Sequence, residues 1–329
     1  MDVILKKPSN ILKANSINYH FIHPAGTVHN VDLRITTDCN LRCSFCYQRK
    51  HEIMQDPPFD TLMEKLKLVL QQTPKNTINV VVHGGEVLQD KYSSEYYQKL
   101  DAFFKNISSA GLESNKNIKL SLCSNIIHHH TSFYINLLKN NNVSLHVSYD
   151  CVGRFNHDKQ KQLFVDNLQL YKDKLGYIGV QLVLTKSNVN AIINCSDTFL
   201  NNVYQLVGNE WMLEHYHPTS STDNEIVDED LLYQFFIHCY STYPNMVSEY
   251  LKQNVSQCCS TLITPASIYK CCTTPDRIKQ FMQNKKCFAC RYYNHCGVNM
   301  CVSTRYNFKG CALQRFYDHI TPGSSFNLS

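Results

Sequence analysis

The chain has 329 residues, 43% of them hydrophobic and 18% charged, with a formal net charge of +5. That length supports a sizeable core in one large or two smaller domains. No apolar run approaches the roughly 18–20 residues of a membrane-crossing helix, which excludes an integral helical membrane protein, and the small, dispersed charge excess argues against a nucleic-acid surface. The opening MDVILKKPSN lacks the apolar stretch of an export signal, so the expectation is a cytoplasmic protein.

Residues 1–30 read as an N-terminal extension, after which the chain alternates. VDLRITT (31–37) has β-branched residues in period-two alternation and reads as a strand. FDTLMEKLKLVLQQT (59–73) carries apolar residues at helical spacing. Strands follow at 77–85, 117–125, 143–150, 177–188 and 210–218. Helices are expected at 92–107, 131–141, 157–175 and from about 189 to 206. Strands alternating with helices imply a parallel sheet, curled by right-handed crossovers, with ligands bound beyond the carboxyl ends of the strands. Residues 221–256 read as a polar linker with bridging helices, and 257–329 as a Cys-dense tail. The tail is too small for an apolar core of its own, so bound metal is expected to staple it.

Sixteen cysteines are the outlying count. In a long chain without an export signal they read as reduced thiols serving metal. Cys123, Cys151, Cys195 and Cys239 are isolated and read as core. His128-His129-His130 reads as a solvated loop. Cys39, Cys43 and Cys46 form a C-x3-C-x2-C array directly after the first strand. Three thiolates suit an iron–sulfur cluster with one iron left open, whereas structural zinc asks for four closed ligands.

With Phe45 before the last cysteine and Tyr47 after it, TTDCNLRCSFCYQ resembles the signature of the radical S-adenosylmethionine enzymes. The resemblance implies an α/β fold, a partial (β/α)6 TIM-like barrel over 31–220. It also implies a [4Fe-4S] cluster on the three cysteines and S-adenosyl-L-methionine chelated by the open iron. In that family the reduced cluster cleaves the cofactor to a 5′-deoxyadenosyl radical, which abstracts a substrate hydrogen. Gly84-Gly85-Glu86 resembles the segment that holds the methionine amino group. Ser124 and Asn125 resemble the ribose-contacting position. Ser148-Tyr149-Asp150 resembles the family's S-x-D segment, placing Ser148 on the cofactor and Asp150 on the substrate or behind it. An N-cap is the structural alternative for Asp150. Leu184 is expected against the adenine.

The tail resembles the SPASM-type extension, a Cys-rich domain that implies two auxiliary [4Fe-4S] clusters. Cys287, Cys290, Cys296 and Cys311 would hold the outer one. Cys258 or Cys259, Cys271 and Cys301 would hold the inner one, its fourth ligand open among the other of Cys258/Cys259, Cys272 and substrate. Ala266 stands where the family has glycine, and four residues separate Cys296 from Cys301 where three are usual. Paired cysteines also serve zinc, so a zinc staple is the alternative.

SPASM-type enzymes mostly modify peptides. The implied function is maturation of a ribosomally synthesised precursor peptide by crosslinking or epimerisation. An electron donor such as flavodoxin or ferredoxin is implied, and recognition would use a separate leader-binding protein or a short peptide motif. IYKCC resembles a segment of short peptide epimerases, which makes Cys272 the candidate hydrogen donor. The alternatives are a radical oxidase or dehydrogenase acting on a small molecule, and a non-catalytic iron–sulfur or zinc scaffold.

Overall fold

The computed structural model describes residues 28–46, 57–216, 223–247, 261–269 and 311–320. Six strands, β1 (Val28–Thr36), β2 (Thr77–Gly84), β3 (Asn117–Ser124), β4 (Ser144–Ser148), β5 (Ile178–Leu184) and β6 (Trp211–His215), pair in chain order. Every one of those pairings is parallel. The crossovers carry α1 (Phe59–Gln72), α2 (Ser94–Glu113), α3 (Thr131–Asn140), α4 (Asp158–Leu175), and α5 (Lys186–Ile193) with α6 (Leu200–Val207). Among the described residues the sheet runs β6-β5-β4-β3-β2-β1-β7-β8 as a curled half-barrel with β6 and β8 at its ends.

The layering follows from side-chain alternation. Val31, Leu33 and Ile35 of β1, Val80 and Val82 of β2, and Leu145 and Val147 of β4 are fully or almost fully buried. Strand residues at the alternate positions, among them Asp32, Arg34, His83, Cys123 and His146, are half-buried on the other face. Helix α1 meets the core with Leu62, Met63, Leu66, Val69 and Leu70, an i, i+3/i+4 stripe. Side-chain caps set several helix starts: Ser93 accepts from Tyr96 N, His157 from Gln160 N and Thr185 from Asn188 N.

Several expected boundaries move. Helix α2 continues to Glu113 because Ile107, Ala110 and Gly111 extend its buried face. The fifth strand stops at Leu184, since Thr185 caps α5. The helix expected through 206 is two helices, separated by a turn in which Cys195 has φ +49°.

Beyond β6, α7 (Glu229–Thr242) starts at Asp228, whose side chain accepts from Leu231 N. Strand β7 (Thr261–Ile263) adds to β1 in parallel, and β8 (Ile268–Tyr269) turns back antiparallel. Three residues are too short to show a period, which is why β7 was not anticipated. In the β7–β8 turn Thr264 N donates to Ser267 O at 2.9 Å, and Ala266 is not among the residues with positive φ. Helix α8 (Ala312–Ile320) lies on α7, with Phe316 stacked on Phe236 at 5.4 Å and Ala312 N donating to Glu229 at 2.7 Å. This sets half-buried Cys311 beside the start of α7.

Candidate active site at the strand ends

The carboxyl ends of β1 and β2 approach each other through glycine. Gly85 N donates to Thr36 O at 2.8 Å and Glu86 N to Asp38 O at 2.7 Å. A Cβ on Gly84 would lie 2.3 Å from Thr36 O, and one on Gly85 2.0 Å from Asp38 O. Only residues without a side chain allow this contact. It brings the turn after β2 against the residues that lead into the cysteine loop.

Glu86 is 1% exposed. Ser124 Oγ and Leu88 N each donate to its Oε1 at 2.8 Å, and Asn125 N donates to Oε2 at 2.6 Å. All of these donors are neutral, and among the described residues no Lys, Arg or His forms an ion pair with Glu86. Burial pushes its carboxyl up to about 7, against the pull of its hydrogen-bond donors. A carboxylate fixed by neutral donors is prepared for a cation. Ser124 and Asn125, expected at the cofactor, are thus drawn to the same point as Glu86.

Asn125 Nδ2 also donates to Asn40 Oδ1 at 2.7 Å, and Asn40 Nδ2 to Ile127 O at 2.7 Å. These bonds tie the β3 end to the cysteine loop. Asp38 receives Tyr92 Oη at 3.1 Å and pairs with Lys91 at 2.5 Å, while Gln89 Nε2 reaches its carbonyl at 3.3 Å. Asp38, Asn40 and Gln89 were not singled out in the sequence. Asp38 and Asn40 had one signal, their place beside Cys39.

On the loop, Cys43 is buried and Cys39 and Cys46 are half-buried. Polar hydrogens face the sulfurs: Leu41 N lies 3.4 Å and Asn125 Nδ2 3.9 Å from Cys39 Sγ, and Arg154 Nη1 lies 3.8 Å from Cys43 Sγ. Burial first, then Glu86 and the other two thiols, push Cys39 up to about 12, so an electropositive partner is needed to make it a thiolate. Among the described residues no three Cys, His, Asp or Glu side chains converge on one ion-sized point. A four-iron cluster takes one thiolate per iron and asks for wider spacing than a single ion. Three neighbouring thiols, with donors directed at the Cys39 and Cys43 sulfurs, fit that group.

The β4 and β5 ends hold the other expected residues. Asp150 is fully buried. Its Oδ1 accepts from Val183 N at 2.9 Å and Asn188 Nδ2 at 2.8 Å, and its Oδ2 from Arg154 Nε at 2.6 Å. Burial raises its carboxyl to about 6, opposed chiefly by Arg154. The N-cap of the following helix is His157. Ser148 is half-buried at the end of β4 and Leu184 is buried at the end of β5. Phe45 lies under the Arg154 guanidinium, 5.5 Å from its ring centroid. Tyr47, Cys258, Cys259, Cys271, Cys272, Cys287, Cys290, Cys296 and Cys301 lie outside the described residues.

Two readings of isolated residues change. His128 is not solvated: it is 1% exposed, Nε2 is 3.1 Å from Tyr171 Oη, and burial lowers its pKa to about 4. Cys195 is exposed and Cys123 half-buried, while Cys151 and Cys239 are core as expected.

No protein-family model and no curated protein matches the sequence. Solved structures do match in fold. One is anSMEcpe with bound AdoMet, at 14% identity and TM-score 0.61, over 88% of this chain and 95% of that one. The same protein with bound AdoMet and Cp18Cys peptide matches at 14% identity and TM-score 0.60, over 88% and 95%. Streptococcus suis SuiB bound to precursor peptide SuiA matches at 13% identity and TM-score 0.52, over 83% and 70%. The described architecture is therefore the half-barrel fold shared with these solved structures.

Proposed function

We propose that this chain is a radical S-adenosylmethionine enzyme that modifies a ribosomally synthesised peptide by crosslinking or epimerisation. The observation that carries the reading is the convergence, at one mouth of the half-barrel, of the Cys39/Cys43/Cys46 loop with a buried Glu86 fixed by Ser124 and Asn125. When bound, the cluster and S-adenosylmethionine supply a one-electron cleavage and a radical that takes a hydrogen atom from substrate.

The chain's own residues do the rest. Cys39, Cys43 and Cys46 would hold the cluster. Glu86 accepts a cationic amino group, and the Gly84-Gly85 approach fixes its distance from the loop. The β3 end is locked to the loop through Asn125 and Asn40, so the two halves of the site cannot drift apart. The peptide assignment draws support from two structural relatives solved with a bound peptide, Cp18Cys in one and SuiA in the other. Auxiliary clusters on the tail cysteines remain part of this proposal.

The test is iron, sulfide and 5′-deoxyadenosine after anaerobic reconstitution and reduction. Three four-iron clusters predict roughly twelve irons per chain, falling by about four in the Cys39/Cys43/Cys46→Ala variant together with all 5′-deoxyadenosine formation. A loaded protein that releases no 5′-deoxyadenosine would be a scaffold instead. With a peptide in hand, crosslinking removes the mass of two hydrogens, whereas epimerisation leaves the mass unchanged. If Cys272 supplies the hydrogen, Cys272→Ala stops inversion while cofactor cleavage continues.

A further inference from the structure

Arg154 has no part in the roles assigned above, yet it touches the cysteine loop. The side chain is 12% exposed and its ion-pair partner Asp150 is fully buried. Its Nε donates to Asp150 Oδ2 at 2.6 Å, while its Nη1 lies 3.8 Å from Cys43 Sγ. The other oxygen of Asp150 is held by Val183 N of β5 and by Asn188, so the carboxylate is anchored in the sheet. The loops are also docked by backbone: Ser44 N donates to Gly153 O at 2.8 Å. Gly153 has φ +82°, and a Cβ there would lie 2.4 Å from Ser44 Oγ. The guanidinium therefore cannot approach or leave Cys43 without moving a fixed carboxylate or a fixed loop.

A cation at this range, mostly out of water, interacts far more strongly than one in solvent. The potential of an iron–sulfur cluster depends on net charge and on hydrogen bonds to its sulfurs. Asp150 opposes the effect but sits behind the guanidinium.

We propose that Arg154, positioned by Asp150, donates to the Cys43 sulfur and raises the potential at which the cluster on Cys39, Cys43 and Cys46 accepts an electron. This rests on the function proposed above. One electron enters from a low-potential one-electron donor, and no bond is made or broken in the step. A positive charge beside the sulfur stabilises the more negative, reduced cluster, so losing it makes reduction harder.

The experiment is a dithionite titration followed by electron paramagnetic resonance on the reconstituted full chain. It reads the signal that disappears in the Cys39/Cys43/Cys46→Ala variant, with iron and sulfide measured in parallel. Arg154→Gln should shift the one-electron equilibrium about tenfold against reduction, a midpoint lower by ~59 mV. Arg154→Lys should move it the same way but less, because a single ammonium cannot hold the Asp150 carboxylate and reach the Cys43 sulfur at once. An unchanged midpoint in Arg154→Gln at wild-type iron content overturns the proposal. If Arg154→Gln loads no iron, Arg154→Lys decides: a lower midpoint supports the proposal, and an unchanged or higher one overturns it. Failure of the underlying reading looks different, since the triple cysteine variant would then lose neither iron nor signal.

Discussion

The β2–β3 mouth and the β4–β5 mouth each bury a carboxylate, and each carboxylate takes three hydrogen bonds. Around Glu86 the donors are a hydroxyl and two backbone N–H groups. Around Asp150 one donor is a guanidinium. The first mouth thus keeps a negative charge, or a proton in its place, until a cation arrives. The second is neutralised from within. A buried carboxylate with neutral donors is suited to binding, and one with its own counter-ion is suited to holding a neighbour in place.

Four experiments would break or sharpen that contrast. Asp150→Ala strands a buried guanidinium and should destabilise the fold by ~3–5 kcal/mol in chemical denaturation. Glu86→Gln should cost less, ~1–3 kcal/mol, because the amide sets its NH2 group against one of the three neutral donors but strands no buried charge. Equal losses in the two variants would abolish the distinction. Glu86→Gln should instead weaken S-adenosylmethionine binding to reconstituted protein by roughly 10–100-fold, the range for a hydrogen bond to a charged group, as read by calorimetry.

Gly85→Ala drives a methyl into Asp38 O. It should cost ~1–3 kcal/mol and reduce iron loading, and normal loading would show that the approach of the two loops is dispensable. The smallest effect is that of pH. The Glu86 carboxyl is raised to about 7, above its unfolded value. Stability of the unloaded fold from this group is therefore full below the ordinary carboxylate range and is lost as pH rises through about 7. Binding of a cationic amino group has the opposite sign: it needs the ionised form, so affinity should fall about tenfold per pH unit below about 7. Glu86→Gln should flatten both profiles.

The sequence alone determined the alternation of strands and helices, the loop of three thiols after β1, and the Gly-Gly-Glu turn after β2. Each of these is local: a period of two or 3.6 reports which face is buried, and a ligand spacing reports which chemistry a loop can do. Tertiary structure decided the partners. Cys43 and Arg154 are 111 residues apart and meet only because two strand-end loops dock. Asp150 reads in sequence as a residue on the substrate or behind it, and its three donors come from β5, α5 and its own loop. His128 belongs to a polar-looking triplet but is buried beside Tyr134 and Tyr171, and β7 finds β1 across more than two hundred residues. Such pairings depend on strand register and on which faces meet when the sheet curls, and no local period carries that information.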